Sequence, residues 1–227
     1  MASNFGKTIQ VATFGASHGY AIGGIVEGLP CGHTIDIDEL QAFLKRRAPG
    51  QNQLQTQRKE ADIPEFLSGM VDGMLSGSPL AFMIRNTSQH SGDYNNLRDI
   101  PRPSHADFTA RMRYGDKVDM RGGGHFSARL TAPLCVAGGI ALQLLREKGI
   151  EIHGHLKQVG TIQDTPIDMV HPDMKALAKI ATETIAMVDA DKRSEVENLV
   201  MKLKKDGDST GGIVEVIATG LSLIHIS

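Results

Sequence analysis

The chain has 227 residues, a net charge of −2, 41% hydrophobic and 22% charged residues. This is the profile of a folded globular protein, and it excludes disorder and any bulk attraction to nucleic acid. With no Trp, 2 Cys, 10 Met and 25 Gly, the core must be aliphatic, a disulfide framework is not expected, and tight turns or close backbone approaches are. No apolar signal region opens the chain and no apolar run reaches ~18 residues. A cytoplasmic protein without membrane or nucleic-acid partners is expected.

Residues 5–14 alternate as a strand, and Ala21 to Val26 reads as a second, closed by Gly28-Leu29-Pro30. The turn Gly15–Gly19 should join them as an antiparallel pair. Asp36 or Asp38 is the expected cap of a helix whose apolar face is Leu40, Phe43 and Leu44, ending before Pro49-Gly50. Residues 50–62 are polar and aperiodic and read as a loop. A strand is expected over Pro79 to Ile84, then a second polar loop over residues 86–104. Ser104, with Asp107 three residues on, is read as the N-cap of a short helix ending at Gly115.

A third loop carries Arg121-Gly122-Gly123-Gly124-His125-Phe126-Ser127 and opens a long apolar helix. That helix begins near Ser127 or Thr131, holds Pro133 in its first turn, and stops at Gly149 after Lys148. Ile150 to His155 and Gly211 to Thr219 read as strands. Asp191 to Lys205 reads as an amphipathic helix with Val196, Leu199, Val200 and Leu203 on one face. Long polar loops inside one domain usually serve a site, and here they carry the His and Arg residues.

Two histidines stand in stretches suited to chemistry: His18 in Phe14-Gly15-Ala16-Ser17-His18-Gly19, and His105 in Arg102-Pro103-Ser104-His105-Ala106-Asp107. Imidazole exchanges protons near neutrality, and the accompanying arginines point to an anionic substrate. Each His also fits an ordinary structural place, a backbone-bonded turn for His18 and a surface helix start for His105. The dipole at a helix start favours neutral imidazole, so a proton donor at His105 needs an anionic neighbour.

Arg46, Arg47 and Arg58 flank a Gly-Gln-Asn loop. Arginine forks suit carboxylate or phosphate. Arg46 is equally explained as a cation at a helix C-terminus, which leaves Arg47 the better ligand candidate. The Gly122–Gly124 run can cradle an anion with backbone N–H groups, and Arg129 follows it. The run is neither a P-loop nor a dinucleotide fingerprint. His153 and His155 share a strand face, but no third metal ligand is evident and no metal is expected.

Four stretches, in order and at matching spacing, resemble the chorismate synthase family over residues 4 to 220. These are Gly15–Gly19 running on to Glu27-Gly28-Leu29-Pro30; Arg46-Arg47-Ala48-Pro49-Gly50-Gln51 with Thr56 to Asp62; Arg102 to Asp107; and Arg121 to Arg129. The resemblance implies an α+β fold, a β-α-β sandwich with antiparallel sheets inside and helices outside, assembled as a homotetramer. It implies a carbon–oxygen lyase of the shikimate pathway, which makes chorismate from 5-enolpyruvylshikimate 3-phosphate by 1,4-anti elimination of phosphate. The cofactor implied is reduced FMN, with NADPH as a candidate reductant.

The resemblance further implies catalytic roles for His18 and His105. His105 would protonate the departing phosphate or the flavin, and His18 would take the complementary role. Arg47, Arg129 and Gln53 fall at substrate-binding positions, and His125, Phe126, Ser127 and Ala128 at a flavin-contact segment. Several residues depart from the family pattern. Ala16 stands where many relatives have Glu, and Gln53 where many have Arg. His125, Phe126 and Leu130 replace common Arg, Ser and Glu, as in some bacterial relatives. The family pattern fades near Gly220-Leu221. The expectation is therefore one incomplete family domain over residues 1–221, with residues 222–227 a foreign tail on a truncated chain. The competing expectations are an inactive fragment and an anion-binding module without turnover.

Overall fold

The computed structural model describes residues 3–50, 54, 60–87, 100–168 and 170–221. They form two compact units: one holds the described residues up to Leu144 other than Leu54, and the second holds Leu54 and the residues from Leu145 onward.

In the first unit, strands β1 (Asn4–Phe5), β2 (Gln10–Gly15), β3 (Ala21–Glu27), β4 (Pro64–Ser68) and β7 (Leu80–Arg85) form one sheet in the order β1-β2-β3-β7-β4. Every neighbour is antiparallel. A short hairpin, β5 (Met70–Val71) with β6 (Met74–Leu75), lies between β4 and β7 in sequence. The expected pairing across the Gly15–Gly19 turn is present, with Phe14 opposite Gly23 and Gly15 opposite Ile22.

The strand expected over residues 5–14 is two strands. Gly6 takes φ +96°, and a Cβ there would lie 1.9 Å from the Ile9 carbonyl oxygen. The chain therefore folds back on itself and pairs Asn4 with Ala12, a reversal that only glycine permits at that φ.

Helix α1 (Ile37–Arg47) is capped by Asp36, whose carboxylate accepts from Glu39 N at 2.9 Å. Helix α3 (Thr131–Arg146) follows a glycine-kinked segment at Arg121–Phe126 and a 3-10 turn at Ala128–Leu130. It ends at Arg146 rather than Lys148, and Pro133 sits in its first turn as expected. Leu40, Leu44, Val136 and Ile140 pack on Ile22, Val26, Leu80, Phe82 and Ile84, all at most 1% exposed. Each such side chain contributes about 1.5–3 kcal/mol by leaving water. This burial also explains the composition of Arg121–Arg146, which is apolar and long enough to cross a membrane by those criteria alone.

Helix α2 (Asp107–Tyr114) ends at Gly115 as expected, but its N-cap is Ala106, with no side-chain cap bond. Ser104 instead takes φ +59°, and the Asp107 carboxylate turns back to Arg102 and His105.

The second unit is built on a three-stranded antiparallel sheet in the order β10-β8-β9, with β8 (Glu151–Val159), β9 (Ile162–Gln163) and β10 (Gly212–Thr219). Helix α4 (Met174–Ile180) sets Leu177 and Ile180 against Ile217. Helix α5 (Ala190–Asp206), capped by Asp189, buries Val196 with Ile185 and Met187. The 50–62 and 86–104 loop expectations fall mostly outside the described residues, as does the proposed tail at 222–227.

Candidate active site

All of this site belongs to the first unit. The turn after β2 holds His18 in a fixed place. Ser17 N donates to Gly124 O at 3.0 Å, and Ser17 Oγ donates to Gly122 O at 2.8 Å. With its proton committed to a carbonyl, Ser17 Oγ is left to accept from His18 Nδ1 at 2.9 Å. Ser17 is fully buried and His18 is 7% exposed.

The glycine run explains why the two histidines meet. Gly122, Gly123 and Gly124 have φ of +57°, +87° and +56°, a region L side chains rarely enter. A Cβ on Gly122 would lie 2.0 Å from the His18 ring, and one on Gly123 would lie 3.0 Å from His105 Nε2. Two consecutive glycines thus carry the two imidazoles, one each. The expectation of an anion cradle from this run is changed in one respect: Gly123 N donates to Met120 O at 3.0 Å. The glycines serve close approach of side chains.

His105 is held by Asp107, whose Oδ1 accepts from Nδ1 at 2.6 Å. Arg102 donates to the same carboxylate from Nε at 2.8 Å, Nη2 at 2.9 Å and its backbone N at 3.0 Å. Those Arg102 bonds, ahead of the opposing effect of burial, hold the Asp107 carboxyl far below the usual carboxylate range. Asp119 is also lowered, chiefly by its hydrogen bonds from Arg121, with a smaller contribution from His18.

Arg47 and Arg129 come together on one carboxylate. Asp62 is 2% exposed, with φ +51°. Its Oδ2 accepts from Arg47 Nη2 and, at 3.0 Å, from Arg47 Nε; its Oδ1 accepts from Arg129 Nη1. Arg129 Nε donates to Asn86 Oδ1 at 3.1 Å. Asn86 Nδ2 in turn donates to Ala16 O at 3.1 Å and Gly19 O at 2.8 Å. One asparagine therefore ties the buried guanidinium to the His18 turn. Among the described residues Arg129 Nη2 is buried without a hydrogen-bond acceptor, 3.8 Å from Glu60 Oε2. Glu60 Oε2 already accepts from Thr87 N at 3.1 Å and Thr87 Oγ1 at 2.9 Å. Arg46 lies over the Phe43 ring, 5.5 Å from its centroid, in keeping with a helix-end cation.

The 125–128 segment is placed beside these groups. His125 Nδ1 donates to Gly15 O at 2.9 Å, and its Nε2 lies in hydrogen-bond contact with Ser3 Oγ at 2.8 Å. Its imidazole thus stitches the Gly loop to the end of β2. Phe126 packs on Tyr114 with ring centroids 6.2 Å apart. Ser127 Oγ accepts from Arg129 N at 3.3 Å, and Ala128 is exposed. Gln53 and Arg58 lie outside the described residues. The sequence assigns no site role to Ser17, Asp62 or Asn86, and gives Asp107 only a place in a capping box. A local signal existed for Asp107, an acid two residues from His105, whereas Asp62 lies 15 residues from Arg47 and 67 from Arg129.

His153 and His155 lie outside this site, on β8. His155 Nε2 is 3.0 Å from Glu215 Oε2, and Nδ1 is 3.5 Å from Asp164 Oδ2. Among the described residues no group of three or more His, Cys, Asp or Glu is placed to hold a metal.

The sequence pattern of the chorismate synthase family matches residues 9–223. A chorismate synthase of Lancefieldella parvula is 41% identical over 97% of this chain and 61% of its own length. One of Bacteroides thetaiotaomicron is 43% identical over 97% of this chain and 60% of its own length. A crystal structure of chorismate synthase superposes with a TM-score of 0.71 at 25% identity, covering 93% of this chain and 58% of that one. The chain thus spans about 60% of the length of these curated relatives. With the His, Arg and Gly stretches assembled in one place and this match along nearly the whole sequence, the chain belongs to the chorismate synthase family.

Proposed function

We propose that this chain is the larger, N-terminal part of a cytoplasmic, homotetrameric chorismate synthase. It would act on 5-enolpyruvylshikimate 3-phosphate with reduced FMN, NADPH serving as reductant. One family domain over residues 1–221 followed by a foreign tail is part of the same reading. The observation that carries it is the pairing of His18 and His105 against Gly122 and Gly123, with Arg129 joined to the His18 turn through Asn86.

The donor set fits the ligands. A buried guanidinium N–H without an acceptor costs free energy until an oxyanion meets it. The substrate has one phosphate and two carboxylates to offer Arg129 Nη2, and FMN has a phosphate. Reduced FMN, when bound, lends electron density to cleavage of the allylic C–O bond with no net redox change.

The chain's own residues do the rest. Arg47 and Arg129 neutralise and orient the substrate anions. Asp62 keeps the two guanidiniums aligned before substrate arrives. His105 presents Nε2 at the glycine run and supplies a proton to the departing phosphate or to the flavin. His18 takes the complementary position, its ring orientation set by Ser17. His125, Phe126, Ser127 and Ala128 form the wall against the flavin, and Gln53 adds a polar contact to the substrate.

The test is phosphate release from 5-enolpyruvylshikimate 3-phosphate under reducing conditions by the full-length protein. His18→Ala and His105→Ala should each slow turnover by about 10²–10⁴ while the thermal melt is retained. Normal turnover by both variants would overturn the reading. The chain's 60% coverage of its relatives favours a second reading for the isolated chain, anion binding without turnover. The same assay on the isolated chain, paired with calorimetric titration of the substrate, separates the two.

A further inference from the structure

We propose that Asp107 is a positioning residue that acts through His105: its carboxylate fixes the neutral imidazole with the proton on Nδ1, so that Nε2 faces the glycine run as the working nitrogen. The inference deepens the proposed function and rests on it for the meaning of His105.

The geometry decides between two tautomers. Nδ1 lies 2.6 Å from Asp107 Oδ1 and 3.3 Å from Arg102 Nη2. Arg102 can only donate and an ionised Asp107 can only accept, so Nδ1 cannot satisfy both. An Nδ1 lone pair would face a carboxylate oxygen at hydrogen-bond distance, which is repulsive. An Nδ1 proton makes a short charge-assisted bond instead. Asp107 stays ionised for two separate reasons. Arg102 donates three bonds to it, and it is the first residue of α2, where the helix dipole favours an anion.

The consequence falls on Nε2. The ring cannot turn over without losing the Asp107 bond, and Nε2 is the atom that a Cβ on Gly123 would approach at 3.0 Å. When Nε2 takes up a proton, the adjacent carboxylate, 4% exposed at its side chain, holds the resulting cation. The arrangement has the logic of an Asp–His pair in which the acid orients the base and is never itself protonated.

The readout is the ¹⁵N spectrum of the histidine side chains in the chain as it stands, with His105 identified by the signals lost in His105→Ala. Neutral His105 is expected as the Nδ1–H tautomer. Asp107→Ala should move it away from that form, and Asp107→Asn, which keeps an oxygen acceptor and the helix start, should shift it in part. Unchanged backbone amide spectra establish that both variants fold; should Asp107→Ala not fold, Asp107→Asn carries the test. An Nε2–H tautomer in the parent chain, or a tautomer indifferent to both substitutions, overturns the proposal. In the full-length enzyme Asp107→Asn should lower kcat about tenfold or more with KM within twofold, and Asp107→Glu should restore part of the loss. Normal turnover by His105→Ala alongside the expected spectra would sink the proposed function and leave the Asp107–His105 pairing standing.

Discussion

The His18 ring fills the space that a side chain on Gly122 would need: a Cβ there would sit 2.0 Å from both Cε1 and Nδ1. The next residue is more permissive, because a Cβ on Gly123 would meet the tip of His105 at 3.0 Å and Ser127 Cβ at 3.4 Å. Both glycines also hold positive φ, which alone costs a side chain about 1–2 kcal/mol. Gly122→Ala should therefore destabilise the chain more than Gly123→Ala, by about 1–3 kcal/mol beyond the shared backbone cost. Urea denaturation of the two variants measures the difference. Equal losses would mean that the His18 ring moves aside freely.

How much of this was legible beforehand depended on whether one stretch of sequence held the whole cause. The β2–β3 hairpin, the α1 cap narrowed to Asp36 or Asp38, and the Gly115 stop are local, and each was readable from a period or a cap residue. The reversal at Gly6 was not, because a strand pattern runs through it and only pairing of Asn4 with Ala12 reveals the turn. Ser104 and Asp107 fit a capping box in sequence, yet Arg102 and His105 outcompete the helix amides for the carboxylate. His18 and His105 could be nominated individually, whereas their meeting place at Gly122 and Gly123 lies far along the chain from His18. Arg47 and Arg129 looked like open anion ligands. The charge that organises both, Asp62, lay in a polar stretch without periodicity.

Asp62 is the buried carboxylate on which both guanidiniums depend. Its removal strands Arg129, whose side chain is 4% exposed, far more than Arg47, at 19%. Asp62→Ala should cost about 3–5 kcal/mol, the usual penalty for leaving a buried charge uncompensated. Combining it with Arg129→Met should cost less than the sum of the two single changes. A double-mutant cycle by thermal or urea melts gives the coupling, and strict additivity would show that the pair does not interact.

Acid should reach Asp107 late. Its folded-state pKa is depressed by the Arg102 hydrogen bonds, and the unfolded value is about 3.9. The sign follows from proton binding: above about pH 4 the folded state is favoured by the full contribution, and that contribution is lost as pH falls through the lower folded value. The stability gap between the parent chain and Asp107→Asn should not narrow as pH falls from about 8 to 5, and should shrink only below about pH 4. Urea melts across that range give the profile. A gap that already narrows between pH 5 and 8 would contradict a strongly held carboxylate.

Helices α1 and α3 meet at a glycine. A Cβ on Gly139 of α3 would lie 2.5 Å from Leu40 Cδ1 and 3.1 Å from Phe43 Cδ1, both on α1. Leu40 is 1% exposed, so it has nowhere to retreat without a rotamer change. Arg47 ends α1 and Arg129 lies two residues before α3, and both meet Asp62, so spreading the contact pulls on that clasp. Gly139→Val should destabilise by about 1–3 kcal/mol through overpacking. Gly138→Ala, whose Cβ would meet nothing within 4 Å, should be neutral or stabilise by up to about 1 kcal/mol through helix propensity. Paired melting curves test the contrast, and a Gly139→Val variant as stable as its parent would show that the contact is loose enough to accept a side chain.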